Sequence, residues 1–202
     1  MRAATRRELL AGPAGRIECA IDVPAEPARG LALIAHPHPL FGGTLDNKVV
    51  QTLARALLEQ GCVALRPNFR GVGASEGSHD QGRGEVDDLA ATLAWGQREF
   101  GPLPLALAGF SFGAAMQARL GQRTAPQRML LVGVAVNSFE VPPVPEGTLV
   151  VHGERDETVP LASVLDWARP QELPVIVVPG AVHFFHGKLQ VLRGIMRHNW
   201  CT

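Results

Sequence analysis

Short apolar runs alternate with amphipathic segments along the chain, and this order constrains the fold more than any other feature. The apolar runs of strand length lie at residues 30–36, 62–66, 104–108, 129–136, 148–151 and 175–178. The segments with helical spacing lie at residues 46–60, from 85 onward, 113–120, 160–168 and up to 198. Two earlier runs, 6–10 and 16–23, are joined by a Gly-Pro-Ala-Gly turn and predict an antiparallel hairpin. The order predicts an α/β protein with a mostly parallel sheet and helices on both faces.

Polar residues mark the expected starts of two helices. Asp46 is predicted to cap the first helix, which runs to about Gln60, because an aspartate side chain accepts from free N–H groups of a first turn. Glu85, Asp87 and Asp88 are predicted to begin the second helix, since negative charge suits the positive end of a helix dipole.

Composition and charge narrow the classes of protein. The chain has 202 residues, which predicts a single domain over 1–202, and 46% of them are apolar, too many for a disordered chain. Basic and acidic residues number 19 each, so the charge indicates neither a nucleic acid nor an anionic membrane as a partner. No apolar run approaches the roughly 18 residues of a membrane span.

The three cysteines, Cys19, Cys62 and Cys201, are scattered and lack the spacing of a metal site. Cys19 and Cys62 lie in apolar runs, where packing is their expected role. An odd number of cysteines without a secretory leader predicts a cytoplasmic protein that has no structural disulfide.

Two stretches match the pattern Gly-x-Ser-x-Gly, residues 73–77 and 109–113. A serine nucleophile on this pattern needs a strand immediately before it and a helix immediately after, because the sharp turn between them exposes the hydroxyl. The second stretch follows an apolar run and precedes a helix-forming run, whereas the first has loop sequence on both sides. Ser111 is therefore the predicted nucleophile. Ser75 is the alternative and is interpreted as a turn residue.

A serine hydroxyl needs a base, and the base needs an orienting carboxylate. On a strand–turn–helix nucleophile the acid follows the serine in sequence and the histidine follows the acid. Asp156 lies in a loop just past a strand-like run and is the predicted acid, with Glu154 and Glu157 as alternatives. His183 lies in the loop after the last strand-like run and is the predicted base, with His186 as the alternative.

Acyl transfer also needs two N–H donors for the developing oxyanion. The first is predicted to be the backbone N–H of Phe112, which follows the nucleophile. The second is expected from the loop at residues 36–43, where two prolines lack an N–H and leave His38, Leu40 and Phe41. We predict His38, with Leu40 as the second choice.

The pair His36 and His38 has a spacing that is also found in zinc sites. No third ligand cluster stands nearby in the sequence, so we predict no metal, and a role for His36 in holding its loop by hydrogen bonds. The other histidines, His79, His152 and His198, are interpreted as loop, strand-end and surface residues.

Two longer motifs carry a family resemblance. Residues 36–50 are HPHPLFGGTLDNKVV and residues 66–77 are RPNFRGVGASEG. The chain resembles bacterial α/β-hydrolases of the small carboxylesterase and dienelactone-hydrolase-like kind over about residues 6–199. The resemblance implies the α/β-hydrolase fold and the triad positions above. Dienelactone hydrolases proper carry a cysteine nucleophile, so Ser111 argues against dienelactone as the substrate.

The predicted site is open. Only residues 137–147 connect two late strands where this superfamily usually inserts a lid, and that segment is too short and proline-rich for a helical cap. Phe41, Phe110 and Phe184 are predicted to contact the substrate, although some of the phenylalanines near the site are expected to pack beneath it. These features predict a carboxylesterase for short, soluble esters that needs no cofactor.

Other functions remain open to the same sequence. A thioesterase or acyltransferase would use the same triad, as would a small peptidase, and a non-catalytic binding protein would tolerate loss of the triad. The expected partner is a small-molecule ester. The protein is expected to be a monomer or a homodimer, since Trp200 and the last helix suit either a dimer contact or docking of the terminus.

Overall fold

The protein is represented by a computed structural model, which describes residues 5–200; Cys201 lies outside them. The strands are β1 (Thr5–Gly12), β2 (Gly15–Asp22), β3 (Gly30–Ala35), β4 (Cys62–Pro67), β5 (Leu105–Phe110), β6 (Arg128–Val132), β7 (Leu149–Gly153) and β8 (Val175–Val178). The helices are α1 (Lys48–Glu59), α2 (Arg83–Phe100), α3 (Phe112–Gly121), α4 (Leu161–Ala168) and α5 (Leu189–Asn199), with 3₁₀ turns at Pro39–Phe41 and Arg169–Gln171.

All eight strands form one sheet in the order β1-β2-β4-β3-β5-β6-β7-β8. β2 runs antiparallel to both β1 and β4, and the remaining pairs are parallel. The predicted hairpin and mostly parallel sheet are therefore confirmed. Because β3, β5, β7 and β8 point the same way, the loops that follow them meet at one edge of the sheet, where α/β proteins bind ligands.

Apolar side chains fill two cores, one on each face of the sheet. Helices α2, α3 and α4 pack on one face, to which α2 contributes Val86, Leu89 and Leu93. Helices α1 and α5 cover the other face, with Leu53 and Leu192 among the buried side chains. The other helices present an apolar stripe to the sheet, whereas α3 is buried over most of its length, which is why its sequence is apolar and rich in small residues.

The strand predicted at residues 129–136 is shorter in the structure and ends at Val132. Gly133 adopts a φ of +53° and turns the chain out of the sheet. Val134 is fully buried although it lies outside any strand. The apolar run continues past the strand because the following loop is buried as well.

The structure also corrects two predicted helix starts. Asn47, not Asp46, caps α1, since the Asn47 side chain accepts from the N–H groups of the first turn. Asp46 instead forms an ion pair with Arg7 at 2.6 Å. Helix α2 begins at Arg83 because the carboxylate of Glu85 reaches back to the N–H of the preceding cap residue, at 2.8 Å.

The connection from β6 to β7 determines how open the sheet edge is. Residues 133–148 are all described and contain neither a helix nor a strand. The prediction that no lid domain covers this edge is confirmed.

The end of the chain packs on the sheet. Trp200 is only 4% exposed and lies in the same core as α1 and α5, so it docks the end of α5. Within residues 5–200, no helix is both long and apolar enough to cross a bilayer.

Cys19 and Cys62 are free thiols that lie buried in the two cores. Burial raises the pKa of Cys19 to about 12 and that of Cys62 to about 11. A thiol that stays protonated is a weak nucleophile, so both side chains serve packing, as predicted.

Candidate active site

The turn between β5 and α3 holds Ser111 in a backbone conformation that side chains rarely adopt, with φ +56° and ψ −119°. The residues two positions before and after Ser111 must be glycine for reasons of space. A Cβ on Gly109 would lie 2.5 Å from the carbonyl oxygen of Gly113, and a Cβ on Gly113 would lie 2.4 Å from the carbonyl oxygen of Ala35. The turn therefore stores strain at the serine, as functional turns often do, and sets Ser111 at the N-terminus of α3.

The structure brings the three predicted triad residues together at the carboxyl edge of the sheet. His183 Nε2 lies 3.0 Å from Ser111 Oγ, and His183 Nδ1 lies 2.7 Å from Asp156 Oδ2. Asp156 Oδ1 accepts from the N–H groups of Thr158 and Val159 at 3.0 and 2.8 Å. Because a carboxylate only accepts, the proton of neutral His183 is on Nδ1, and Nε2 is free to accept from the serine hydroxyl.

The alternative residues have other contacts. The Ser75 hydroxyl donates to the carbonyl of Asn68 at 2.8 Å and accepts from the N–H of Glu18 at 2.9 Å. The Glu154 carboxylate accepts from the backbone of the loop after β8, at 2.7 Å. His186 stacks on Phe184, with ring centroids 6.0 Å apart. Each of these side chains therefore braces a loop or lies at the surface.

A family model described as the alpha/beta hydrolase fold matches residues 38–146, more than half of the chain. That segment contains most of the loop after β3 and the sharp turn between β5 and α3, called the elbow below, with Ser111 and its flanking glycines. The chain belongs to the α/β-hydrolase family.

Three proteins are similar to this α/β-hydrolase along most of its length. The solved structure of an alpha-beta serine hydrolase homologue from Coxiella burnetii is 39% identical and covers 97% of each chain, with a TM-score of 0.92. XC6422 from Xanthomonas campestris, described as an a/b serine hydrolase without lid, is 37% identical, covers 98% of this chain and 94% of its own, and has a TM-score of 0.90. The uncharacterized protein RP471 of Rickettsia prowazekii is 34% identical over 89% of this chain and 82% of its own.

The loop after β3 faces the elbow and was predicted to supply a second oxyanion donor. The N–H of Leu40 donates to the ring of His38 at 3.2 Å, and the N–H of Phe41 donates to the carbonyl of His38 at 3.1 Å. Within residues 5–200, the backbone N–H groups of His38 and Phe112 have no such internal partner. Of the predicted donors, these two are the ones left available to a ligand.

The buried side chain of His36 holds that loop by hydrogen bonds, as predicted. Its Nδ1 lies 2.7 Å from the carbonyl of Pro37, and its Nε2 accepts from the N–H of Phe69 at 2.9 Å. Burial lowers the pKa of His36 to about 4, so the ring is neutral at physiological pH. Both ring nitrogens are used, and among residues 5–200 no group of three His, Cys, Asp or Glu side chains has the arrangement of a metal site.

The phenylalanines near the triad divide into exposed and buried groups. Phe41 is 85% exposed and Phe184 is 42% exposed, so both rings are available to a ligand. Phe110, which was predicted to contact the substrate, is instead fully buried, and its ring centroid lies 4.9 Å from that of His183. Phe110 packs beneath the histidine because it is the last residue of β5 and points into the sheet's core.

Two residues at the site were missed by the sequence interpretation. Gly133 lies beside the histidine: a Cβ there would lie 3.3 Å from the ring of Phe110 and 3.4 Å from Cε1 of His183. His152 was interpreted as a strand-end residue, yet it is fully buried and its Nε2 lies 3.6 Å from Asp156 Oδ2. A glycine inside an apolar run was the one available sign of the first, and the spacing of four residues to Asp156 was the sign of the second.

Proposed function

We propose that this α/β-hydrolase is a carboxylesterase that acts on short, soluble esters through an acyl intermediate on Ser111. The observation that carries the proposal is the continuous contact from Ser111 Oγ to His183 and on to Asp156, at 3.0 and 2.7 Å. The similarity to an alpha-beta serine hydrolase homologue supports the same chemistry.

In the first half of the reaction, Ser111 Oγ attacks the ester carbonyl carbon while its proton passes to His183 Nε2. Asp156 stabilises the imidazolium that forms, because its Oδ2 accepts from Nδ1. The carbonyl oxygen becomes an oxyanion, and the proposal assigns its stabilisation to the N–H groups of Phe112 and His38. His183 then gives its proton to the leaving alcohol, which leaves the acyl group bound to Ser111.

In the second half, water replaces the alcohol. His183 takes a proton from the water, the hydroxide attacks the acyl carbon, and the proton returns to Ser111 Oγ as the acid leaves. Every proton and electron pair moves between Ser111, His183, substrate and water, so the proposal includes no cofactor and no metal.

The proposed preference for short esters rests on the shape of the site. Residues 133–148 leave the sheet edge without a lid, so a long acyl chain would find no enclosed channel there. Phe41 and Phe184 offer exposed apolar surface for a small acyl or alcohol group. The partner is then a small molecule. The proposal places the enzyme in the cytoplasm, as a monomer or a homodimer.

The first experiment treats the purified protein with a fluorophosphonate probe and measures intact mass. One adduct is expected on the parent protein and none on Ser111→Ala, because the probe bonds only to an activated serine. Ser75→Ala is the matched control, since Ser75 lies in the first Gly-x-Ser-x-Gly stretch, and it is expected to be labelled like the parent.

A panel of substrates then separates the related activities. Turnover of acetate and butyrate esters that exceeds turnover of thioesters and amides supports the carboxylesterase. Rates that rise steadily with acyl chains longer than about ten carbons would contradict it. Such a trend would mean that each added CH₂ group is buried in an apolar channel and contributes favourable free energy. Absence of an adduct on the parent protein would favour a non-catalytic binding protein.

A further inference from the structure

His152 is a buried imidazole beside the triad that the mechanism above does not use. It lies in β7, four residues before Asp156, and is fully buried. The ionisable groups that face it are Asp156, with Oδ2 at 3.6 Å from Nε2, and His183. The same carboxylate oxygen is therefore close to two histidines, at 3.6 Å from His152 and 2.7 Å from His183.

The hydrogen bonds of His152 determine its tautomer. Its Nε2 lies 2.9 Å from the carbonyl oxygen of Val159, which can only accept, so Nε2 carries the proton. Nδ1 is buried and has no hydrogen-bond partner among the described residues. Protonation of Nδ1 would bury an N–H without an acceptor, and burial lowers the pKa of His152. The ring is therefore neutral and points a fixed N–H toward the acid loop.

The backbone of Val159 is held on both sides by the side chains of Asp156 and His152. Its N–H donates to Asp156 Oδ1 at 2.8 Å, and its carbonyl accepts from His152 Nε2. Oδ1 of Asp156 is thus fixed by the loop, and this directs Oδ2 toward His183 at 2.7 Å. Without the bond from His152, the carbonyl of Val159 is left unpaired in a buried place, and the loop loses the contact that fixes its distance from β7.

We propose that His152 is a positioning residue that orients Asp156 through the backbone of Val159 and so holds His183 in its catalytic tautomer. The inference rests on the proposed function, because it concerns the efficiency of the same triad. His152 does not touch the substrate or exchange protons in the reaction. It acts only through the geometry of the carboxylate.

The test compares His152→Phe with His152→Gln in the full-length protein. Phenylalanine fills the buried space but donates no hydrogen bond, whereas the amide of glutamine can place an N–H near the position of Nε2. Active sites are counted with the fluorophosphonate probe, and kcat and KM are then measured from pH 5 to 9 on a short ester.

For each active site, His152→Phe is expected to lower kcat by about 10- to 100-fold with little change in KM, since small misplacements of catalytic groups have effects of this size. Its rate is also expected to decline at a lower pH than that of the parent on the acid side, because a misplaced Asp156 stabilises the imidazolium of His183 less. His152→Gln is expected to restore most of kcat and the pH profile of the parent.

Equal kcat values and equal pH profiles in the parent and the active fraction of His152→Phe would overturn the inference, even if that variant were less stable. If His152→Phe does not fold, His152→Met, which also donates no hydrogen bond, is measured in its place, and a kcat and pH profile equal to those of the parent would overturn the inference. A parent protein that is not labelled at all would instead refute the proposed function.

Discussion

The two Gly-x-Ser-x-Gly stretches have the same pattern but opposite backbone roles. In residues 73–77 the two glycines have positive φ values, +58° at Gly73 and +85° at Gly77, and the serine does not. In residues 109–113 the serine has the positive φ, and the glycines are required because backbone atoms approach them closely. The pattern alone therefore does not locate a nucleophile. The strand before it and the helix after it do.

The serine hydroxyls of the two stretches also have different roles. Ser75 joins β2 to the loop after β4, since it accepts from Glu18 and donates to Asn68. Next to it, Glu76 forms an ion pair with Arg16 of β2 at 2.7 Å. The first stretch thus connects the N-terminal hairpin to the loop after β4. Ser111 instead directs its hydroxyl to an imidazole at the open edge of the sheet.

The largest difference is expected between the two serine-to-alanine variants. Ser111→Ala should lower kcat/KM by about 10⁴-fold or more, because the nucleophile is lost, and should leave stability nearly unchanged. Ser75→Ala should keep kcat/KM within about twofold but lower the free energy of unfolding by about 1–3 kcal/mol, since one buried and one part-buried backbone group lose their partner. Ester kinetics and urea unfolding of both variants measure this. Comparable loss of activity in the two would contradict the division of roles.

A smaller difference is expected between Gly113→Ala and Gly77→Ala. In Gly113→Ala the new methyl group meets the backbone of β3, 2.4 Å away, so α3 must move away from the end of β3 and the free energy of unfolding should fall by about 3 kcal/mol. In Gly77→Ala the nearest atom is the side chain of Ala14 in a turn, at 2.8 Å, and the positive φ should cost about 1–2 kcal/mol.

The same pair also differs in its effect on the reaction. Gly113 packs against the loop that carries His38, so Gly113→Ala should lower kcat, while Gly77→Ala should leave it unchanged. Urea unfolding at pH 7 and kcat on a short ester measure the two effects. A stable Gly113→Ala variant with normal kcat would show that the close packing around the elbow is not required.

The sequence was most informative where one physical requirement determined a residue. The positions of the strands along the chain followed from their burial on both sides of the sheet. The choice of Ser111, Asp156 and His183 followed from loops that meet at one edge of the parallel strands. It was least informative where two neighbours satisfied the same requirement. Asp46 and Asn47 are both good helix caps, and an ion pair with Arg7, distant in sequence, decides between them.

The other errors arose where the sequence shows that a side chain is apolar or polar but does not show what it contacts in the fold. Val134 is as apolar as a strand residue, but Gly133 has already turned the chain out of the sheet. Phe110 was placed beside a substrate because of its position next to the serine, although strand alternation points its ring into the core beneath His183. His152 was missed because its bond to Val159 depends on how the acid loop folds back, which no local pattern records.

His36 links the two stretches, and its protonation is expected to weaken that link at acid pH. The ring accepts from Phe69, which precedes the first stretch, while the carbonyl of His36 lies against the Gly113 position. Burial lowers the pKa of His36 to about 4, whereas an unfolded histidine has a value of about 6.5. The unfolded chain then binds the proton more readily, so the stabilisation is present above about pH 6.5 and is lost as the pH falls toward about 4.

Between pH 7 and pH 5 the lowered pKa of His36 is expected to reduce the free energy of unfolding by about 2 kcal/mol. His36→Gln should be less stable than the parent at pH 7 and should lose less stability on acidification. His186→Gln, which replaces an exposed histidine, should keep the pH dependence of the parent. Urea unfolding at the two pH values measures all three proteins. An unchanged pH dependence in His36→Gln would show that the link is not held by a neutral imidazole.

The smallest expected effect concerns exposed apolar side chains above the second stretch. Phe184 is 42% exposed beside His183, and Leu9 is 49% exposed on β1 of the hairpin that the first stretch fastens. Phe184→Ala should raise KM for a butyrate ester by about threefold and change KM for an acetate ester less, because less apolar area is buried on binding. Leu9→Ala should change neither value. If the two variants behaved alike, the apolar surface beside the triad would have no part in holding the acyl group, and the proposed preference for short esters would have to arise from the proposed oxyanion donors and the open edge alone.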